Sequence, residues 1–280
     1  MVRRESDVRQ LLTIGAALLL AAGLGSLAAQ TAPTAPPTSS PRERLSINDG
    51  WRFTKDDPPG TGVDLLYDVR PAVNEDRDER PAGAEPRPSV QRTANVPTLK
   101  PWILPTGNAF IKDPAKRHQR PAGNPGGDVP YVREDFDDRS WRHVDLPHDW
   151  GIEGPFLETG PHGGMGRLPS WGVGWYRKTL HIAPGGAGRS IFLDVDGAMS
   201  YATVWLNGQI AGGWPYGYSS WRVDLTPYIR HGGANLLAIR VDNPPGSSRW
   251  YPGGGIYRNV WLTRTHALHV SRWGTFVRTP

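Results

Sequence analysis

Four carboxylates crowd into one short stretch: Glu134, Asp135, Asp137 and Asp138. Paired carboxylates are the machinery of glycoside hydrolysis, in which a retaining enzyme holds an acid and a nucleophile about 5–5.5 Å apart. Here the bland reading is the stronger one. Asp side chains in a polar run accept backbone N–H bonds, so the cluster reads as a solvent-facing turn before Trp141 re-enters the core. His143, His148 and His162 with Asp149 offer metal-ligand types. The interval between the first two is broken by Pro147 and lies on no helix face, so no metal site is expected. His148 and Asp149 read instead as fixing the Leu-Pro-His-Asp-Trp corner through local hydrogen bonds. No Gly-x-Ser-x-Gly elbow occurs, and Gly253-Gly254-Gly255 lacks the Lys-Ser/Thr of a phosphate loop. Those glycines let the backbone pass close to a partner surface or ligand. No catalytic residue and no cofactor are expected.

A different chemistry suits the run from Asp242 to Tyr251. Sugars present apolar C–H faces and a ring of hydroxyls, which proteins meet with aromatic platforms flanked by hydrogen-bonding side chains. Asp242, Asn243, Ser248, Arg249, Trp250 and Tyr251 supply these types, and Pro244 and Pro245 stiffen the loop, lowering the ordering cost of binding. Trp205, Trp221, Trp261 and Tyr257 are expected in the core, and Arg258 in a structural ion pair.

The frame that must hold such a loop is all-β. Among 280 residues there are 34 Gly, 28 Pro and 12 Trp, a composition of short strands joined by turns. Strands are expected at Leu45–Phe53, Trp175–Ile182, Ser190–Asp196, Tyr201–Leu206, Gln209–Ala211, Trp221–Leu225, Asn235–Asp242, Tyr257–Thr263 and Ala267–Val270. Asn207-Gly208 is a hairpin turn, since both residues tolerate positive φ. The apolar runs at Val204–Leu206 and Leu237–Val241 are too continuous for an exposed edge. Together these predict an antiparallel sandwich. Residues 55–133, rich in Pro, Arg, Asp and Glu, read as a long irregular insertion, partly disordered, with apolar islands at Leu65–Tyr67 and Trp102–Leu104 that dock on the sandwich surface.

Arg3, Arg4 and Arg9 precede the apolar run Leu11–Leu27, with small residues at Ser26, Ala28 and Ala29. This is the pattern of a secretory leader over residues 1–30, cleaved after Ala28 or Gln30, with an uncleaved anchor as the alternative. A Pro/Thr-rich linker follows over 31–44, then the sandwich domain over 45–280. A secreted or periplasmic location follows, with no stable membrane span after cleavage. With no Cys in the chain, disulfides, thiolate metal sites and a cysteine nucleophile are excluded, yet export is not. The net charge of +5 does not announce a nucleic-acid partner, because residues 134–280 carry 14 basic and 12 acidic side chains with no basic run.

Several ordered segments resemble glycoside hydrolase family 2, which includes β-galactosidases, β-mannosidases and β-glucuronidases. They are Asn48–Phe53, Phe136–Trp141, Leu146–Trp150, Gly174–Lys178, Val204–Gly208, Asp224–Thr226, and Val241–Asn243 leading into Ser248–Tyr251 and Gly253–Arg258. Each is weak alone, but their order and spacing are specific over about 145 residues, from Phe136 to the C-terminus. The resemblance implies the family's first domain, a jelly-roll β-sandwich of the galactose-binding type. It also implies two catalytic glutamates on a (β/α)8 barrel outside this chain, consistent with Glu158 being the last glutamate. It implies, further, a β-galactoside-like carbohydrate substrate, a loop before Gly255-Ile256-Tyr257-Arg258 that helps shape the sugar pocket, and a second contact near Trp171. The acidic side chain that touches sugar in some relatives is replaced here by Ser248 or Arg249. The alternatives are a free-standing carbohydrate-binding module and a lectin-like adhesion protein; the sugar stays open among galactose, mannose and glucuronic acid.

Overall fold

Strand alternation sorts side chains onto two faces, and in this chain both faces of one sheet are apolar. A computed structural model describes residues 40–61, 65, 99–158, 168–185, 188–244 and 253–279. The strands are β1 (Arg42–Ser46), β2 (Trp51–Lys55), β3 (Arg142–Val144), β4 (Gly172–Ile182), β5 (Arg189–Val195), β6 (Ala202–Leu206), β7 (Gln209–Trp214), β8 (Trp221–Asp224), β9 (Gly233–Asn243) and β10 (Val260–His266). They form two antiparallel sheets, one ordered β1-β10-β5-β8 and the other β3-β2-β4-β9-β6-β7. The expected leader and most of the expected linker lie outside the described residues.

The two sheets close on a core that contains Trp51, Tyr176, Leu180, Leu193, Val204, Trp221, Leu237, Ile239 and Leu262. Opposite parity on the same strands feeds a second core: Trp175, Trp205 and Ala238 pack with Leu65, Leu99, Ile103, Val129 and Val132. The continuous apolar runs of β6 and β9 are thereby explained. Their outward residues face a covering layer instead of water.

That layer is the insertion. Residues 99–133 form a one-turn helix, α1 (Lys100–Ile103), and short 3-10 turns instead of strands. Trp175 and Trp205 stack beneath it at 5.4 Å, and the Trp205 indole N–H donates to Pro125 O at 2.9 Å. Polar groups of the layer also cap the backbone of β7: Asn124 Oδ1 accepts from Ile210 N at 2.8 Å, and Arg120 donates to Ile210 O and Ala211 O. Arg240, 1% exposed, adds a buried ion pair to Asp57 at 2.7 Å and a bond to Leu65 O. Of the two apolar islands, Leu65 and Trp102–Leu104 are described, and Leu65 and Ile103 are fully buried in this second core.

Three expectations are corrected. The single strand expected over Leu45–Phe53 is two, β1 and β2, in different sheets, because Gly50 at φ +68° breaks the run. Ala267–Val270 is no strand. This segment leads a strap across the outer face of the smaller sheet, where Arg272 donates to Asp194 Oδ1 at 2.7 Å and Trp221 O at 2.9 Å. Arg258 is exposed and donates to the carbonyl of Asp196 in place of the expected ion pair. Trp205 and Trp221 are core residues as expected, whereas Trp261 and Tyr257 are half-buried. The carboxylate cluster is a turn: Asp137 accepts from Arg139 N at 3.0 Å, and Asp138 holds the buried Arg177 at 2.8 Å.

Candidate functional site

At one end of the sandwich, the start of β4 lies beside the end of β9, with Gly172 registered opposite Asn243. Trp171 is therefore carried next to the base of the loop that leaves β9. Ser248, Arg249, Trp250 and Tyr251 lie outside the described residues, as do His162 and Gly163–Gly166.

The base itself is rigidly held. Asn243, 3% exposed, donates through Nδ2 to Ser170 O and to Gly253 O, both at 2.7 Å, tying the outgoing foot of the loop to the returning one. Ser200 donates to the Asn243 amide oxygen at 3.3 Å and to Asp242 O at 3.2 Å. Asp242, 2% exposed, faces Arg240 at 3.4 Å. The structure thus places Asp242 and Asn243 as buried anchors at the foot of the loop, with neither side chain exposed to solvent.

The Leu-Pro-His-Asp-Trp corner clamps the returning foot. Asp149 Oδ1 accepts from Gly151 N and from Gly254 N, each at 2.8 Å. Trp150 N donates to Gly254 O, and its indole N–H to Ser170 O, both at 2.9 Å. The ammonium of Lys55 sits 4.1 Å above the Trp150 ring and donates to Trp171 O at 3.2 Å, while burial lowers its pKa. Close backbone approach explains the glycines: a Cβ on Gly254 would strike the Trp150 ring, and one on Gly253 would lie 2.7 Å from Asp149 Oδ2. The local role expected of Asp149 is present. Its reach to Gly254, 105 residues away, had no mark in the sequence beyond the glycine run.

Behind the clamp, His148 is 6% exposed between Phe53 and Tyr176. Its Nδ1 lies 2.7 Å from Tyr176 Oη, and its Nε2 lies 3.1 Å from Arg142 and 3.2 Å from Glu153. Burial lowers the His148 pKa, opposed by Glu153, so a neutral ring accepting from Arg142 is favoured. Arg142 holds Glu153 below the usual carboxylate range. The carboxylates near the loop base are thus each committed to structural partners: Asp149 to amides, Asp242 to Arg240, Glu153 to Arg142. Among the described residues, no group of three His, Cys, Asp or Glu side chains is disposed to hold a metal ion.

Residues 143–250 match the family model described as the glycosyl hydrolase 2 galactose-binding domain-like family. A β-galactosidase of Bacteroides ovatus, BoGH2A, is 51% identical over 146 residues, which cover 51% of this chain and 17% of that protein. A putative β-glucuronidase of Formosa agariphila is 36% identical over 151 residues, 54% of this chain and 14% of the relative. A crystal structure of a glycosyl hydrolase family 2 member from Bacteroides cellulosilyticus superposes with a TM-score of 0.55 at 26% identity, covering 85% of this chain and 22% of its own. The chain therefore spans less than a fifth of the length of the two curated relatives it matches here.

Proposed function

We propose that this chain, whose residues 143–250 match the galactose-binding-like domain of glycosyl hydrolase family 2, serves as the non-catalytic carbohydrate-contacting front domain of an exported β-galactosidase-like enzyme. The observation that carries this reading is the doubly pinned loop base. Asn243 bridges both feet of the Asp242–Tyr251 loop, and Asp149 with Trp150 clamps the returning foot. A Pro-stiffened loop carrying Arg249, Trp250 and Tyr251 from such a base meets a sugar with little ordering cost. The hydrolytic carboxylates belong, in this reading, to a barrel outside the 280 residues, and Trp171 contributes a second edge of the pocket. A β-galactoside is favoured because the relative with 51% identity is a β-galactosidase. Residues 1–30 act as the export leader.

The test is kinetic. Joined to its barrel, the enzyme should hydrolyse a nitrophenyl β-galactoside, and Trp250→Ala should lower kcat/KM by about tenfold or more, the scale of one lost sugar-stacking contact. The 280-residue chain alone should give no turnover. Hydrolysis by the isolated chain at enzyme-like rates, or an unaffected kcat/KM in the variant, would overturn the assignment. Mass spectrometry of the exported product should find an N-terminus after Ala28 or Gln30; an intact Met1 would refute the leader.

A further inference from the structure

Beside the loop base lies a second group of aromatic rings that the pocket reading does not use. The connection from β7 to β8 carries Tyr216, 58% exposed, and Tyr218, 37% exposed, whose rings meet edge to face at 5.6 Å. The connection that carries them is held at Pro215, Gly217, Ser219 and Ser220. Tyr201 N donates to Pro215 O at 3.1 Å, Tyr257 Oη to Gly217 O at 2.8 Å, and Ser220 Oγ to Asp196 O at 3.1 Å. The Trp214 indole N–H donates to Ser219 Oγ at 2.8 Å. Gly217 lies so close over the Met199 side chain that a Cβ would collide with it.

Met199 also joins this connection to the loop base. It pairs with Gly255 in an isolated antiparallel bridge, with N–H···O bonds of 2.9 and 3.2 Å running both ways. Bridged backbones lie about 4.8 Å apart, so the tyrosine connection stands over the neighbour of the returning foot, Gly253–Gly255. Tyr257, two residues further on, brings a third phenol among the other two, and burial raises its pKa. Rigid, exposed rings with hydroxyl tips have the form that sugar faces require: an apolar body to stack on and a polar edge to bond with.

We propose that Tyr216 and Tyr218 form a second carbohydrate platform, which stacks on a β-linked oligosaccharide one or more units away from the sugar held at the loop. This rests on the sugar-contacting reading of the same end of the sandwich.

The experiment uses the whole chain. Calorimetric titration with β-1,4-linked galactotetraose, cellotetraose and mannotetraose should show binding of at least one. Tyr216→Ala/Tyr218→Ala should weaken it by about tenfold, equivalent to about 1.4 kcal/mol, whereas Tyr216→Phe/Tyr218→Phe should retain most of it. In selectively tyrosine-labelled wild-type chain, NOEs should connect tyrosine ring protons to sugar C–H protons, a readout that needs no variant to fold. No binding by the wild-type chain, no such NOEs, or unchanged affinity in the alanine variant overturns the platform. Binding lost in Trp250→Ala but unchanged in the alanine pair would sink the platform and leave the loop reading standing.

Discussion

Asn243 concentrates more structural consequence than any other polar side chain at the loop base. Both of its amide hydrogens are spent on carbonyls of separate segments, and its oxygen accepts from Ser200. Asn243→Ala takes the side-chain donor from Gly253 O and leaves Ser170 O with the Trp150 indole alone, so urea denaturation should show a loss of about 1–3 kcal/mol. His148 gives a second prediction, in pH. Its folded-state pKa is lowered from 6.5 chiefly by burial, so the folded state binds fewer protons than the unfolded chain. The stability it contributes is complete above that value and is lost as pH falls below it. The lowered Glu153 pKa adds a similar loss only nearer 4.5 and below. Between pH 6.5 and 5, the urea midpoint should therefore fall in wild type and fall less in His148→Gln. The chemistry of Asp149 and His148 was half readable from sequence: a corner rich in hydrogen-bonding types announces local bonds. Their distant partners Gly254 and Tyr176 were not readable, because nothing local records which backbone will pass within 3 Å.

At the scale of elements, the β6–β7 hairpin was the clearest message in the chain. Asn207 and Gly208 adopt φ +52° and +78°, the pair of left-handed residues that the Asn-Gly dipeptide favours. The Asn207 side chain does more than permit the turn: it accepts from Leu236 N and donates to Tyr228 O and Asn235 Oδ1, each at 2.9 Å. Asn207→Gly keeps the backbone conformation and removes those bonds, so thermal or urea unfolding should show a loss of about 1–3 kcal/mol. The strands bounded by such punctuation (β5, β6, β8) lie within a residue of their expected limits. Errors arose where punctuation was subtle, as at Gly50, or where alternation alone suggested a strand, as in 267–270. There, burial beneath a neighbouring strand would have been needed, and Arg272 supplies a strap instead.

For the whole molecule, the covered sheet is what the sequence conveyed least completely. Continuous apolar runs in β6 and β9 signalled two buried faces, but the cover comes from an insertion whose composition looks unstructured. Residues 99–133 fold there because Trp175 and Trp205 offer a large apolar floor, and because Asn124 and Arg120 find unpaired strand backbone to bind. Trp205→Ala should cost about 3–5 kcal/mol, measured by chemical denaturation. Truncating Arg240, which removes the cation buried against Asp57, should cost a similar amount. Either loss would show that the insertion is integral to stability.

The capping of β7 carries one more consequence, for the behaviour of the protein at high concentration. An uncovered terminal strand of a sheet is a template on which another copy can add strands without limit. Here, one border is sealed by Arg120 and Asn124. Two others end in the charged strands β1, with Arg42, Glu43 and Arg44, and β3, with Arg142 and His143. The insertion thus works as a guard against self-assembly as well as a roof. Light scattering should show a mass independent of concentration for the wild-type chain, and one that climbs with concentration once Arg120 and Asn124 are both replaced by alanine.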